Sequence, residues 1–130
     1  MMNPATANLL LNSGNFAACV GLPRGAVTKV YHTKESHDKD QKSTNKEADA
    51  AWRMMGIVGA AGAGGLYYAA KSGGSTEKKV NQMIAAQSAA ATAMFVVHPF
   101  MKDQVKPEMR WLNAAGNVAL GAYAMKKAME

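Results

Sequence analysis

Few side chains in this 130-residue chain carry chemistry: three histidines, one cysteine and a small set of amides within uncharged runs. His98 stands directly before Pro99, at the end of one such run. A neutral imidazole there suits an axial ligand for haem iron or chlorophyll magnesium, or a hydrogen bond to a quinone. No second histidine lies in an uncharged run to complete a bis-histidine haem site. The plainer reading is an interfacial ring satisfied by a neighbour or by water. Gln87 and Asn117 are the other candidate pigment or cofactor contacts. With Gln82 and Asn113, they are the polar residues expected inside the later helices, where hydrogen bonds between helices are the structural expectation.

His32 and His37 fall in a charged stretch with Glu35, Asp38 and Asp40. A spacing of four would set two rings on one helical face for a metal, and here the spacing is five. No cysteine joins them, so a solvated loop and no metal site are expected. Cys19 is alone and makes no internal disulfide. The run GAAGAGG lacks both the G-x-G-x-x-G order and the Lys-Ser/Thr of a phosphate loop, and no strand precedes it. The ten methionines are dispersed, which suits packing in irregular apolar gaps and not copper binding. No acidic residue lies deep in an uncharged run, so a proton or ion path has no carrier. These observations point away from an enzyme.

The elements that position these groups follow from how charge is distributed. Residues 1–23, 54–70, 80–101 and 111–125 contain no Asp, Glu, Lys or Arg. Such blocks approach the roughly 20 residues that a helix needs to cross a hydrocarbon core. The mean hydropathy of −0.17 hides this, because the charges are confined to the intervening segments. The net charge of +6 does not indicate nucleic acid, since acids are interleaved with the bases and no basic stripe forms. The N-terminus, MMNPATANLL, resembles neither a secretory signal nor a transit peptide.

The expected fold is all-α: an integral membrane bundle of three to four helices with Gly/Ala-rich packing faces. Residues 1–23 form a first membrane helix or an interfacial one, with Asn8, Asn12 and Asn15 on a face that must meet protein or headgroups. Residues 24–49 form a polar charged loop. Residues 50–130 form a three-helix core, over about 50–71, 77–101 and 107–127. Ser43, Thr44 or Asn45 is expected to cap the first of these helices, and Ser75 or Thr76 the second.

The packing ridges are Gly56, Gly59, Gly62 and Gly65; Ala85, Ala89 and Ala93; and Ala115 and Ala119. Small residues let backbones approach closely in a bilayer. Interface anchors are Trp52, Arg53, Arg110 and Trp111 at one side, and Tyr67, Tyr68 and Tyr123 at the other. Ten Lys and Arg fall on the side carrying 24–53 and 102–110 against five on the other, which turns those loops to the matrix or stroma. Arg53 and the glycines after it resemble small four-span membrane families of the DoxX-like kind over that stretch alone. That resemblance covers about 20 residues and transfers no role or site residue; a free-standing four-helix membrane protein binding a small apolar ligand or quinone is the alternative reading of the chain.

The residues support a small non-catalytic accessory subunit of an energy-transducing membrane complex, respiratory or photosynthetic. Its partners are larger membrane subunits and lipids, with no nucleic acid. No intrinsic cofactor is expected; lipid, chlorophyll or carotenoid would lie at subunit interfaces. The mitochondrial inner membrane is favoured over the thylakoid, where a photosystem subunit would place pigment near His98, Gln87 or Asn117.

Overall fold

The computed structural model describes residues 2–42 and 46–130, and every regular element among them is a helix. Helix α1 (Pro4–Phe16) begins where the Asn3 carboxamide oxygen accepts the Thr6 N–H at 2.8 Å, with Pro4 in the first turn. It continues as one π turn (Ala17–Gly21) and stops at Leu22, which is extended because Pro23 follows. The charged stretch expected to be a loop instead forms two short helices, α2 (Arg24–Tyr31) and α3 (Lys34–Lys42). Its apolar pattern is too sparse to show them; α2 buries only Val27 and Thr28.

Helix α4 (Lys46–Ala70), α5 (Gly74–Val97) and α7 (Pro107–Met129) cover the three expected core helices with small shifts at the ends. The residues expected to cap α4 lie outside the described residues. Before α5 the chain turns through Gly73 and Gly74, both at positive φ, where a side chain would strain the backbone. Gly73 holds the cap position, and neither Ser75 nor Thr76 caps α5 with its side chain. Helix α5 ends at Val97 because His98 precedes proline, and residues 99–104, expected to divide between helix and loop, form a short helix α6 (Pro99–Gln104). Glu108 and the Lys126–Lys127 pair sit at the ends of α7 that favour their charges.

Helix α1 packs mainly on α4, and α5 on α7; α1 also touches α5 and α7, which joins the two pairs. The buried core gathers Ala5, Ala70, Val80, Ile84, Leu120 and Ala124. These residues open α1 and α5 and close α4 and α7, so consecutive long helices run antiparallel. The Tyr123 hydroxyl donates to the Met2 carbonyl at 2.5 Å at this end. On α4 the buried positions are Gly56, Ala63 and Ala70, a strict seven-residue repeat.

A Cβ on Gly56 would stand 2.7 Å from Cys19 Cβ, whereas one on Gly62 would meet nothing within 4 Å. Gly56→Ala is therefore expected to push α1 off α4 and cost about 1–3 kcal/mol. Gly62→Ala gains helix propensity, up to about 1 kcal/mol. Thermal unfolding of the two variants in the same detergent checks that the shifts have opposite signs.

Candidate functional site

Three features offer themselves as sites: a polar cluster at one end, aromatic–cation pairs at both ends, and an apolar groove between α5 and α7. The polar cluster is built where α2 and α3 fold back on the segment around α6. Thr33 N–H donates to the Gln104 carbonyl at 2.9 Å, Lys106 N–H to the Tyr31 carbonyl at 2.8 Å, and Lys106 Nζ to the Lys29 carbonyl at 3.0 Å. Side chains continue the tie: His32 Nδ1 lies 3.1 Å from Ser36 Oγ, which donates to Gln104 Oε1 at 2.5 Å. Because that hydroxyl proton goes to Gln104, the His32 ring must present Nδ1–H to Ser36. His37 Nδ1 pairs separately with Thr28 Oγ1 at 2.8 Å.

Arg24, only 12% exposed, reaches Asp40 at 3.2 Å and Asp49 at 3.0 Å. The Asp49 contact lacks hydrogen-bond alignment and is coulombic. The two segments expected to share one side, 24–53 and 102–110, are thus bonded to each other. Of these partners, the sequence singles out the histidines and Asp40. Thr28, Ser36 and Gln104 carry no signal, since a 68-residue separation joins Ser36 to Gln104.

Trp52 and Arg53 begin α4, and Arg110 and Trp111 begin α7, at the same end as this cluster. Tyr67 and Tyr68 close α4, and Tyr123 closes α7, at the other. Three anchors carry a cation on the ring: Lys71 over Tyr67 at 4.8 Å, Arg110 over Trp111 at 5.3 Å, and Lys127 over Tyr123 at 5.9 Å. Trp52 Nε1 and Arg110 Nε are shielded from solvent without a hydrogen-bond partner among the described residues.

The groove, about 580 Å³ in volume, runs along α5 from Ala85 past Ala89 and Ala93 to Val97. Gly121 and Val118 of α7 line its other side. Its two polar side chains are turned back on their own helices: Thr92 Oγ1 donates to the Ser88 carbonyl at 2.8 Å, and Asn117 Nδ2 to the Asn113 carbonyl at 2.8 Å. Asn113 likewise donates to the Met109 carbonyl at 2.7 Å. The bonds between helices expected of Asn113 and Asn117 are therefore bonds within α7.

The predicted packing residues divide. Gly56 and Ala85 are buried between helices, and Gly59 faces Asn12, 3.0 Å from where its Cβ would be. Asn8 is buried too, so the part of that α1 face at Asn8 and Asn12 meets protein, whereas Asn15 is exposed. Ala89 and Ala93 are exposed along the groove, while Gly62, Gly65, Ala115 and Ala119 are exposed elsewhere. Gln87 is exposed. His98 is exposed at the α5–α6 junction, and its Nδ1 accepts the Phe100 N–H at 3.2 Å. A neutral ring accepting there carries its proton on Nε2 and presents no lone pair to a metal. His98, Gln87 and Asn117 do not converge on one site. Among the described residues no three metal-ligating side chains come together. No family model, curated protein or solved structure matches this chain.

Burial pushes the His32 imidazole below its ordinary value of 6.5; Asp40 pulls it up and His37 pushes it down. The folded state thus favours the neutral ring. Its stabilisation is complete above about pH 6.5, where the unfolded ring is also neutral. It is lost as pH falls through that value, because the unfolded chain takes up the proton first. Hydrogen exchange of the Thr33 and Lys106 amides should lose protection between pH 7 and 5.5. His32→Gln should flatten that dependence.

Proposed function

We propose that this chain is a small, non-catalytic accessory subunit of a multi-subunit energy-transducing membrane complex, stabilising assembly through helix packing and lipid contacts. The observation that carries the reading is unsatisfied apolar surface. The chain exposes 8211 Å², where a compact globular monomer of this mass exposes about 6,600 Å². Large apolar residues are exposed on every long helix: Leu10 and Leu11, Ile57 and Val58, Met83 and Val97, Leu112 and Val118. Apolar exposure along every long helix suits surfaces that meet protein or membrane.

By length and composition, α5 is the one helix among the described residues apolar enough to cross a membrane, and less than a third of its most apolar stretch is buried. Glycine and alanine dilute the hydropathy of α4 and α7. Three to four crossings are proposed, by α4, α5 and α7 with or without α1, on the strength of their uncharged lengths, with charges and aromatic anchors gathered at the ends of the three. Small residues facing outward, at Gly62, Gly65, Ala115 and Ala119, suit close approach by a neighbouring subunit's helix. In this reading the polar cluster faces the matrix or stroma. The mitochondrial inner membrane is favoured; a thylakoid host would add chlorophyll or carotenoid at subunit contacts. The α5–α7 groove favours a second reading, a free-standing four-helix protein that holds a small apolar ligand or quinone.

Mild-detergent extraction followed by a native gel and an absorption spectrum tests the proposal. The subunit reading expects migration in a band of several hundred kilodaltons; haem or chlorophyll absorbance then names the host. Migration alone favours the second reading, and release by alkaline carbonate removes both. Gly62→Leu should leave the isolated fold intact yet deplete the chain from the large band. Normal abundance there would show that the Gly62 face has no partner.

A further inference from the structure

The groove between α5 and α7 has a definite length and a definite end, and level with that end lies an arginine with no ion pair among the described residues. From Ala85 to Val97 it extends about 18 Å at 1.5 Å per residue. Half of a bilayer's hydrocarbon thickness is about 15 Å, so the groove matches one leaflet. A helix crossing the whole bilayer would need about twice that length. The groove lies in the C-terminal half of α5, toward the polar cluster. Thr92 and Asn117 each spend a donor on their own helix, and the rest of its wall is alanine, valine, glycine and methionine. What fits is mostly hydrocarbon.

Register fixes what stands at the groove's end. Gly121 packs between Ala85 and Ser88, 3.0 Å from Ser88 Cβ measured at the position of its own missing Cβ. Stepping the antiparallel pair from that contact sets Val97 level with Arg110 and Trp111, which lie beyond Asn117, the first α7 residue to line the groove. Arg110 also lies seven residues before Asn117, on the same face of α7. Among the described residues no carboxylate lies within ion-pair distance of Arg110, and its Nε is shielded and unbonded. Trp111 is 54% exposed beside it, an amphipathic ring at the depth where headgroups begin.

We infer that the groove holds one acyl chain of an anionic phospholipid, whose phosphate is bound by Arg110 beside Trp111. This rests on the membrane reading above and narrows it to a lipid of stated charge at a stated place. Guanidinium matches phosphate with paired donors, so a headgroup without net negative charge, in which choline offsets the phosphate, should be held less firmly. An acidic headgroup carries no such offset.

The full chain would be placed in phosphatidylcholine vesicles containing one-tenth phosphatidylglycerol, floated on a density gradient, extracted gently and weighed by native mass spectrometry. The expected result is flotation and one retained phosphatidylglycerol per chain. Ala93→Phe, at an exposed position in the groove, should abolish retention without changing helix content by circular dichroism. Arg110→Gln should keep an acyl-bound lipid but lower the preference for phosphatidylglycerol about tenfold, the loss of one charge-assisted contact. Failure to float would overturn both the membrane reading and the lipid site. Flotation with equal lipid retention by Ala93→Phe would overturn the lipid site alone. So would flotation with no headgroup preference in the wild-type chain. If Ala93→Phe kept its lipid but left the native complex, the groove would belong to a partner helix and the inference would fall.

Discussion

The structure depends on contact between small residues. Gly56 lets α4 close on Cys19, and Gly121 lets α7 close on Ser88; at each point an added Cβ would already crowd its neighbour. Backbones that approach this way gain dispersion and exclude lipid or water, but each residue buries little apolar area. At about 25 cal/mol per Å² the gain per contact is small. The core reflects this: most of its buried members are alanine, with Ile84 fully enclosed. Beyond Val80, Ile84 and Leu120, many larger side chains, Leu10, Ile57, Met83 and Leu112 among them, point outward. A chain with this interior offers its surroundings an apolar exterior, and that links the packing to the proposed role among larger subunits.

The polar cluster answers the same constraint at one end. The charges excluded from the helix faces collect in α2, α3 and the chain beside α6. There Arg24 pairs with Asp40 and Asp49, and Gln104 receives the Ser36 hydroxyl. The tie bridges the α1–α4 and α5–α7 pairs at the end opposite the apolar core. One end is held by burial and the other by hydrogen bonds. The helix faces between them are left for other contacts, and the groove that begins beside Ala85 lies there. His32 sits within the hydrogen-bonded end, so pH acts on that tie and not on the core.

The segregation of charge determined a good deal by itself. Uncharged runs bounded by Pro4, Pro23, Gly73–Gly74, Pro99 and Pro107 fixed where the long helices begin and end, because these residues remove a donor, restrict φ or permit positive φ whatever surrounds them. Two such runs separate Trp52 from Trp111, and two separate Tyr67 from Tyr123, which placed each pair at one end. These features are local, or follow from chain direction alone. The all-α class was legible for the same reason.

Tertiary structure alone decided which face of each helix is inside. Gly56 and Gly62 belong to the same run of glycines, and only the position of α1 separates a buried glycine from an exposed one. Asn113 and Asn117 offered bonds to a neighbouring helix in the sequence; in the fold the carbonyls one turn earlier in α7 accept them. The short helices α2 and α3 were illegible because they are held by partners up to 77 residues away, and by no apolar period of their own. The groove and the register that sets Arg110 at its end arise from two helices together. A sequence fixes backbone preferences residue by residue, whereas burial, hydrogen-bond partners and cavities depend on what the rest of the chain brings near.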